Sequence, residues 1–492
     1  MEFDRCLFWH RRDLRINDNI GLSSAINKSI ATTGVFIIDP SLFNYRKGNL
    51  SMSPARSWFL LNSLIELYNN WKSEGSELII LKGNPKDLIP TLARIINAKW
   101  VVWNKNFEPN EIIRDEDIIY KLKKLNIEVD TYLDQLIVDP NRIKTLEGNP
   151  YKVYSPFYRK WSDCLLENKI VYYNIKRERL IGLREKEYQR LKEEPYKNQI
   201  EHPLELVNKM LNNNGFDGQK ACPCIPGESA AKKSLEYFTG QNIISQYNKE
   251  RDYPSAPLTS FLSAALNNGT ISCRYVLSAA EKSKYKNQKI NSQDSIECWI
   301  REIAWREFYQ NIIINFPELE KGPYRKKWKS FPWINNKDWF NSWKDGLTGI
   351  PIIDASMRQL KETGWMHNRC RMIVASFVVK DLICNWQWGE VFFMENLVDG
   401  DLAANNGGWQ WGASSGMDTK PLRIFNPFRQ ARKFDPEAKY IRRWLPELSH
   451  ISSNDLISGE INALERKCYP PPILNHNIQQ AIFKDLYSNL KN

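Results

Sequence analysis

The sequence predicts an N-terminal doubly wound parallel-sheet domain of the α/β class followed by a C-terminal all-helical domain. Two observations carry this. Short apolar runs alternate with amphipathic helical stretches through the first 135 residues, and from about residue 228 only helical periodicity remains.

The strand-like runs are CLFWH (6–10), GVFIID (34–39), ELIILKG (77–83), KWVVWN (99–104) and EVDTYL (128–133). Helical patterns separate them, clearest at 55–71 and 111–125. Strand–helix–strand order implies parallel pairing, with ligands bound at the carboxyl ends of the strands. HRRDLR follows the first strand where G-x-G-x-x-G would mark a nicotinamide dinucleotide site, so none is expected there. Residues 136–224 read as a connection wrapping the surface with some helix, densely charged over 176–200. Helical patterns then occupy 228–240, 293–316, 351–363 and 366–387, with breaks such as GLTGIP (346–351). The expected units are therefore 1–135, 136–224 and 225–492. DGDLAANNGGWQWGASSG (399–416) follows neither period and reads as irregular, so its backbone groups must find partners elsewhere.

Of the 492 residues, 42% are apolar, enough for a large core and too many for global disorder. No apolar run approaches the ~20 residues of a membrane-spanning helix. MEFDRCLFWHRRDLR turns charged too early for a secretory signal, so a cytoplasmic protein is expected. The nine cysteines are scattered without zinc-type spacing and read as reduced, mostly buried thiols, with no metal. The net charge of +12 is concentrated in two places: eight basic against two acidic residues over 420–443, and five against none over 321–329. Both blocks are interleaved with aromatics, which suits a phosphate backbone beside stacked bases and equally suits a solvated rim.

Eleven of the eighteen tryptophans lie within 299–411. In WIREIAWREFY (299–309), Trp299, Glu302 and Arg306 share a helix face, with Trp305 beside Glu302. That carboxylate is either exposed at a pocket or paired, and Arg306 is one turn away. TGWMHNRCRM (363–372) reads as a second such helix, with Trp365, Asn368 and Met372 in one stripe flanked by Arg369 and Arg371. Asp399 and Asp401 have no basic neighbour in sequence; Arg371 and Arg306 are candidate partners. The glycines beside them would let backbone approach a flat ligand closely.

FWHRRDLR, RDYPSAPLTSFLS (251–263), WIREIAWREFY, TGIPIIDASMRQL (348–360), TGWMHNR and DGDLAANNGGWQW together resemble the photolyase/cryptochrome family, and within it the class I cyclobutane pyrimidine dimer photolyases. The resemblance covers nearly the whole chain. It implies a bent FAD in the helical domain. Tyr247, Thr259, Ser260 and Ser263 match flavin-phosphate contacts; Trp299, Arg306, Asn368, Arg371, Asp399 and Asp401 match positions around the rest of the cofactor. Asn405 matches the residue facing flavin N5, where plant cryptochromes carry Asp. Glu302, Trp305, Asn368, Arg369, Met372 and Trp411 match the cavity for a dimer extruded from DNA, and Arg251 and Gln430 match DNA contacts. Glu302 and Asn405 are the implied catalytic pair, and Trp333, Trp386 and Trp409 the implied electron relay. Related (6-4) photolyases place two histidines where this chain has Asn368 and Met372, which points to cyclobutane dimers.

Three positions depart from the family pattern: Phe261 stands where Arg is frequent, and Asn106 and Asn267 where deazaflavin-type members carry Asp and Lys. Asn110, Glu111 and Lys321, with Arg56 and Glu108, instead fit a folate-type antenna site. The second chromophore is thus expected to be 5,10-methenyltetrahydrofolate or 8-hydroxy-5-deazaflavin. The expected substrate is dimer-containing double-stranded DNA, and also single-stranded DNA, acted on by a monomer. The rival readings are a cryptochrome photoreceptor, a DASH-type photolyase preferring single strands, and a nucleic-acid binder whose tryptophans only pack.

Overall fold

The computed structural model describes residues 2–43, 52–167, 172–173, 177–193, 202–240, 243–256, 258–286, 289–417 and 422–490. Five strands, β1 (Phe3–His10), β2 (Ser29–Ile38), β3 (Ile79–Lys82), β4 (Trp100–Asn104) and β5 (Glu128–Tyr132), form one sheet in the order β3-β2-β1-β4-β5. Every pairing is parallel. The crossovers are helices α1 (Ile20–Lys28), α2 (Pro54–Ser73), α3 (Pro85–Ile95) and α4 (Pro109–Lys124). Phe8 lies in register with Gly34 on one side and Val102 on the other. Gly34 has a packing reason: a Cβ there would come within 2.5 Å of the buried Trp71 ring of α2.

Strand order reverses at β1, whose carboxyl end delivers HRRDLR to the crevice between β1 and β4. The same loop meets the helical half. Arg15 and Arg274 both donate to Asp134, at 2.7 and 2.8 Å, with all three side chains almost fully buried. Ile16 N and Asn17 donate to Glu228, at 3.0 and 2.6 Å.

The connection carries α5 (Tyr154–Glu167) and two further helices, Glu185–Glu193 and Pro203–Asn212. Part of the charged 176–200 stretch lies outside the described residues. The helical half contains α6 (Glu228–Gly240), α7 (Ser263–Asn268), α8 (Cys273–Lys286), α9 (Ile290–Asn315), α10 (Pro351–Thr363), α11 (Asn368–Lys380), α12 (Trp386–Asn396), α13 (Leu402–Ala413), α14 (Pro427–Phe434) and α15 (His476–Ser488). One core surrounds α9 and the other α10 to α12. Glu307 of α9 is wholly buried and accepts from Ile137 N, Val138 N and Trp161 Nε1, fastening α9 to the connection.

Three sequence expectations are corrected. TGWMHNRCRM is not one helix: Gly364 ends α10 in the left-handed region at φ 66°, and His367 caps α11, so Trp365 lies between helices. The 366–387 pattern likewise divides, because Asn385 caps a new helix at Trp386. Residues 399–416 are not irregular. Asp401 accepts from Ala404 N at 2.8 Å and starts α13, and Ser414 ends it at φ 61°. Paired glycines and asparagines hide the helical period. Gly407 is needed because a Cβ would come within 2.1 Å of the Tyr309 ring.

Burial alone would raise the Asp134 carboxyl, but Arg15 and Arg274 outweigh it and hold it at about 2. Asp134→Asn leaves two buried cations short of an anion and is expected to cost about 3 kcal/mol or more in denaturant unfolding at neutral pH. Because the folded pKa is depressed, wild type keeps its advantage above about pH 4 and loses it as pH falls through about 2. An unchanged midpoint at pH 7 would contradict this.

Candidate active site

Helix α9 carries Trp299, buried against α6, and the half-buried Glu302 and Trp305. Glu302 pairs with Arg251 at 2.6 Å, not with Arg306 one turn away. Arg306 is drawn to the other side by two carbonyls, of Gln135 at 2.8 Å and Leu266 at 3.4 Å. Arg251 also lies over the Tyr247 ring and donates to Cys298 Sγ. Its neighbour Asp252 accepts from Arg369 at 2.6 Å, and Arg369 reaches Met372 Sδ and covers the Phe434 ring of α14. A line of alternating charge therefore runs from Glu302 to Arg369 and ends on Met372. Asn368 is exposed at the first position of α11. Burial holds the His367 ring down to about 4, so it is neutral, and its Nδ1 accepts from Arg369 N.

Trp305 is held flat. Tyr154 of the connection stacks on it with centroids 3.6 Å apart and planes 5° apart. Trp299 packs against Phe238, which also meets Tyr247. Trp411 lies beside Phe425, with the Arg423 guanidinium above both rings.

Asp399 takes a two-pronged bond from Arg371 at 3.0 and 2.9 Å. Arg306 serves neither aspartate. Asp401 is occupied as the α13 cap, by Gln310 Nε2 at 3.2 Å and by Arg12 at 3.7 Å. Asn405 donates to Glu390 O at 2.9 Å, and its neighbour Asn406 donates to Glu390 Oε1 at 2.8 Å. Burial pushes the Glu390 carboxyl up to about 7 against that bond.

These residues fit a large, flat, polar cofactor such as FAD. Ala404 and Gly408 are exposed on α13 one turn apart, with half-buried Asn405 and Trp411 alongside, and none of the described residues lies within 4 Å of a Cβ built at Gly408. Bare backbone there leaves room for a ring to lie close. Ser245 Oγ, two residues before Tyr247, is buried without a partner among the described residues. Thr259 and Ser260 are half-buried in the loop leading to α7, and Ser263 is exposed at its first position. Phe261 sits between them at φ 51° and packs edge-on against Trp365.

Residues 6–172 match the family model "DNA photolyase", and residues 299–489 match "FAD binding domain of DNA photolyase". A relative from Synechococcus sp. named "Deoxyribodipyrimidine photo-lyase" is 45% identical over 99% of this chain and 96% of its own length. The chain belongs to the photolyase/cryptochrome family. A solved class III photolyase from Agrobacterium tumefaciens shares the fold at TM-score 0.86 and 31% identity, covering 100% of this chain and 98% of the other. A cryptochrome from Synechocystis sp. shares it at TM-score 0.86 and 26% identity, covering 98% of this chain and 99% of the other.

Against the family pattern, Trp386 and Trp409 are buried and Trp333 is half-buried. Asn335 and Asn385 are bonded at 2.8 Å, tying the segments that carry Trp333 and Trp386. Trp409 meets Phe393 of α12, one helix face along from Trp386. Gln430 Oε1 on α14 is buried without a partner among the described residues, and Arg429, Arg432 and Lys433 around it are exposed. Lys420, the first residue of the basic block, lies outside the described residues.

The residues assigned to an antenna divide. Arg12 pairs with Glu108 and lies near Glu111 and Asp401. Burial raises Glu108 to about 7 against Arg12; burial of Glu111 is outweighed by Arg12, Arg114 and Arg11, which hold it low. Arg56 is buried nearby and donates to Gly400 O and Met394 O. Asn110 is exposed in the first turn of α4. Lys321 is exposed elsewhere, where its carbonyl accepts from Gln387. Sequence reading missed Arg12, the hub of this group, and Ser245. HRRDLR at the end of a central strand was the available signal for Arg12.

The raised Glu390 carboxyl sets a pH dependence. It stays protonated in the folded protein after it has ionised in the unfolded chain, so stability falls from about pH 4.5 to about pH 7. Glu390→Gln removes that loss. Unfolding midpoints of variant and wild type are expected to diverge across this window, by up to about 3 kcal/mol in the variant's favour, and to stay parallel above it.

Proposed function

We propose that this protein splits cyclobutane pyrimidine dimers in DNA under light, in a cavity bounded by α9, α11 and α13. The observation that carries the reading is a run of ion pairs that joins two groups. Glu302 is linked through Arg251 and Asp252 to Arg369, which reaches Met372 and stands on the same helix as Arg371, whose pair with Asp399 the family pattern sets beside the flavin. Bound in reduced form, FAD supplies the electron that opens the cyclobutane ring and recovers it afterwards. The chain's own residues do the rest. Asp399 would fix Arg371, and Asn405 would present a neutral amide held by the Glu390 carbonyl. Trp305, stiffened by Tyr154, and Trp411 would offer flat apolar walls to the fused bases. Glu302, set by Arg251, would hydrogen-bond the dimer where negative charge develops.

A dimer stacks and pairs poorly, so extruding it costs about a few kcal/mol, and less from a single strand. Double-stranded DNA and single-stranded DNA are both substrates on this reading, and the enzyme works as a monomer. The exposed cations of α14 would follow the phosphates beside the cavity. The fold is shared with a cryptochrome as well as with photolyases, so it does not by itself select repair. The retained Glu302, Trp305, Asn368 and Met372 set favours repair. Among the described residues no helix is long and apolar enough to cross a membrane.

Anaerobic incubation of the flavin-reduced protein with a dimer-containing oligonucleotide tests the reading. Conversion is expected in light and not in darkness, lowered about tenfold or more by Glu302→Ala and lowered also by Asn405→Asp. Equal conversion in darkness would sink it. The Arg12 cluster is the proposed seat of the second chromophore, either a reduced folate or 8-hydroxy-5-deazaflavin. The absorbance of the supernatant after acid or heat denaturation is expected to show flavin plus one of these two, and flavin alone would remove the antenna.

A further inference from the structure

We propose that Lys380 and Ser376, one turn apart at the carboxyl end of α11, are positioning residues that hold the Arg423 segment against Trp411 and so shape the mouth of the dimer cavity. The inference rests on the functional reading above.

Lys380 is 1% exposed, yet among the described residues its Nζ has no carboxylate partner. It donates to Arg423 O and, at 3.3 Å, to Ser414 Oγ. The adjacent carboxylate in sequence, Asp381, is turned to His476. Burial lowers the Lys380 amine to about 7, and an uncharged amine still donates to a carbonyl. Ser376 Oγ accepts from Phe425 N at 3.2 Å, so α11 grips the 423–425 segment at both ends. The segment needs holding: Leu422, just before it, sits at φ 50°, where a side-chain-bearing residue is disfavoured by about 1 kcal/mol. What the grip displays is Arg423, exposed, with its guanidinium 5.6 Å from the Trp411 ring centre and 5.2 Å from that of Phe425. The same helix begins with Asn368, Arg369 and Met372. One rigid element thus sets the cavity floor at its start and the rim at its end.

Burying an amine with only neutral acceptors is costly and adds no packing that a methionine would not supply. The position of the Arg423 segment is what the amine provides.

The test measures the dissociation constant for a dimer-containing duplex in the dark, with flavin-loaded protein, for Lys380→Met, Ser376→Ala, Arg423→Ala and the two doubles with Arg423→Ala. Lys380→Met is expected to weaken binding about tenfold and Ser376→Ala about threefold. Flavin content and the light-driven splitting of dimer already bound should stay at wild-type level. In the Arg423→Ala background neither change should cost more. Undiminished affinity in Lys380→Met, or an equal further loss on top of Arg423→Ala, overturns the proposal. Should Lys380→Met fail to retain flavin, Ser376→Ala decides by the same criteria. Arg423→Ala binding as tightly as wild type would overturn both the proposal and the placing of DNA on this face, whereas absent repair in light by the wild type strikes the functional reading alone.

Discussion

The two halves meet at a buried carboxylate that faces both of them. Asp134, two residues past the last strand, lies buried between Arg15 from the β1 loop and Arg274 from α8. Two guanidiniums out of water need anions beside them; Asp134 serves both, with Asp18 also 3.3 Å from Arg274, and an anion facing both has little freedom to move. The consequence reaches the site: the loop pinned by Arg15 also carries Arg12, which meets Asp401 at the start of α13. The sheet's crevice and the aspartate-rich turn are therefore held in one frame.

Helix α9 shows how charge is divided between support and chemistry. On one side Glu307 and Arg306 bind the backbone of the connection and of α7. On the other, Glu302 and Trp305 face the candidate cavity. Four functional residues within six positions separate into two jobs because backbone groups claim one face outright. Glu302 is left to a cation from elsewhere in the chain, and Arg251 takes it at the far end of a run that continues through Asp252 to Arg369.

The strands were legible because each is a short apolar run between turn signals, and the observed sheet falls on those runs. The helix caps were legible in retrospect only: His367 and Asn385 divide stretches whose apolar spacing runs through them. The 399–416 stretch hid its helix because its small and amide residues serve close approach, to Tyr309 at Gly407 and to open space at Gly408, rather than an apolar stripe. Partners were the least legible. Local spacing offered Arg306 to Glu302, but spacing cannot see the free carbonyls of Gln135 and Leu266 that outbid the carboxylate. Arg12 and Asp401 are far apart in sequence and meet only through the fold. Scarcity of nearby bases offered Arg371 and Arg306 to Asp399 and Asp401, and of these only Arg371 with Asp399 formed.

Tyr154 belongs to the middle of the chain, yet its ring is the backing of Trp305. The helical half accordingly does not own all of its pocket; one panel's stiffness is on loan from the linker. Transplanting residues from 225 onward onto another carrier would bring the tryptophan without its brace, so any working graft has to start upstream of α5.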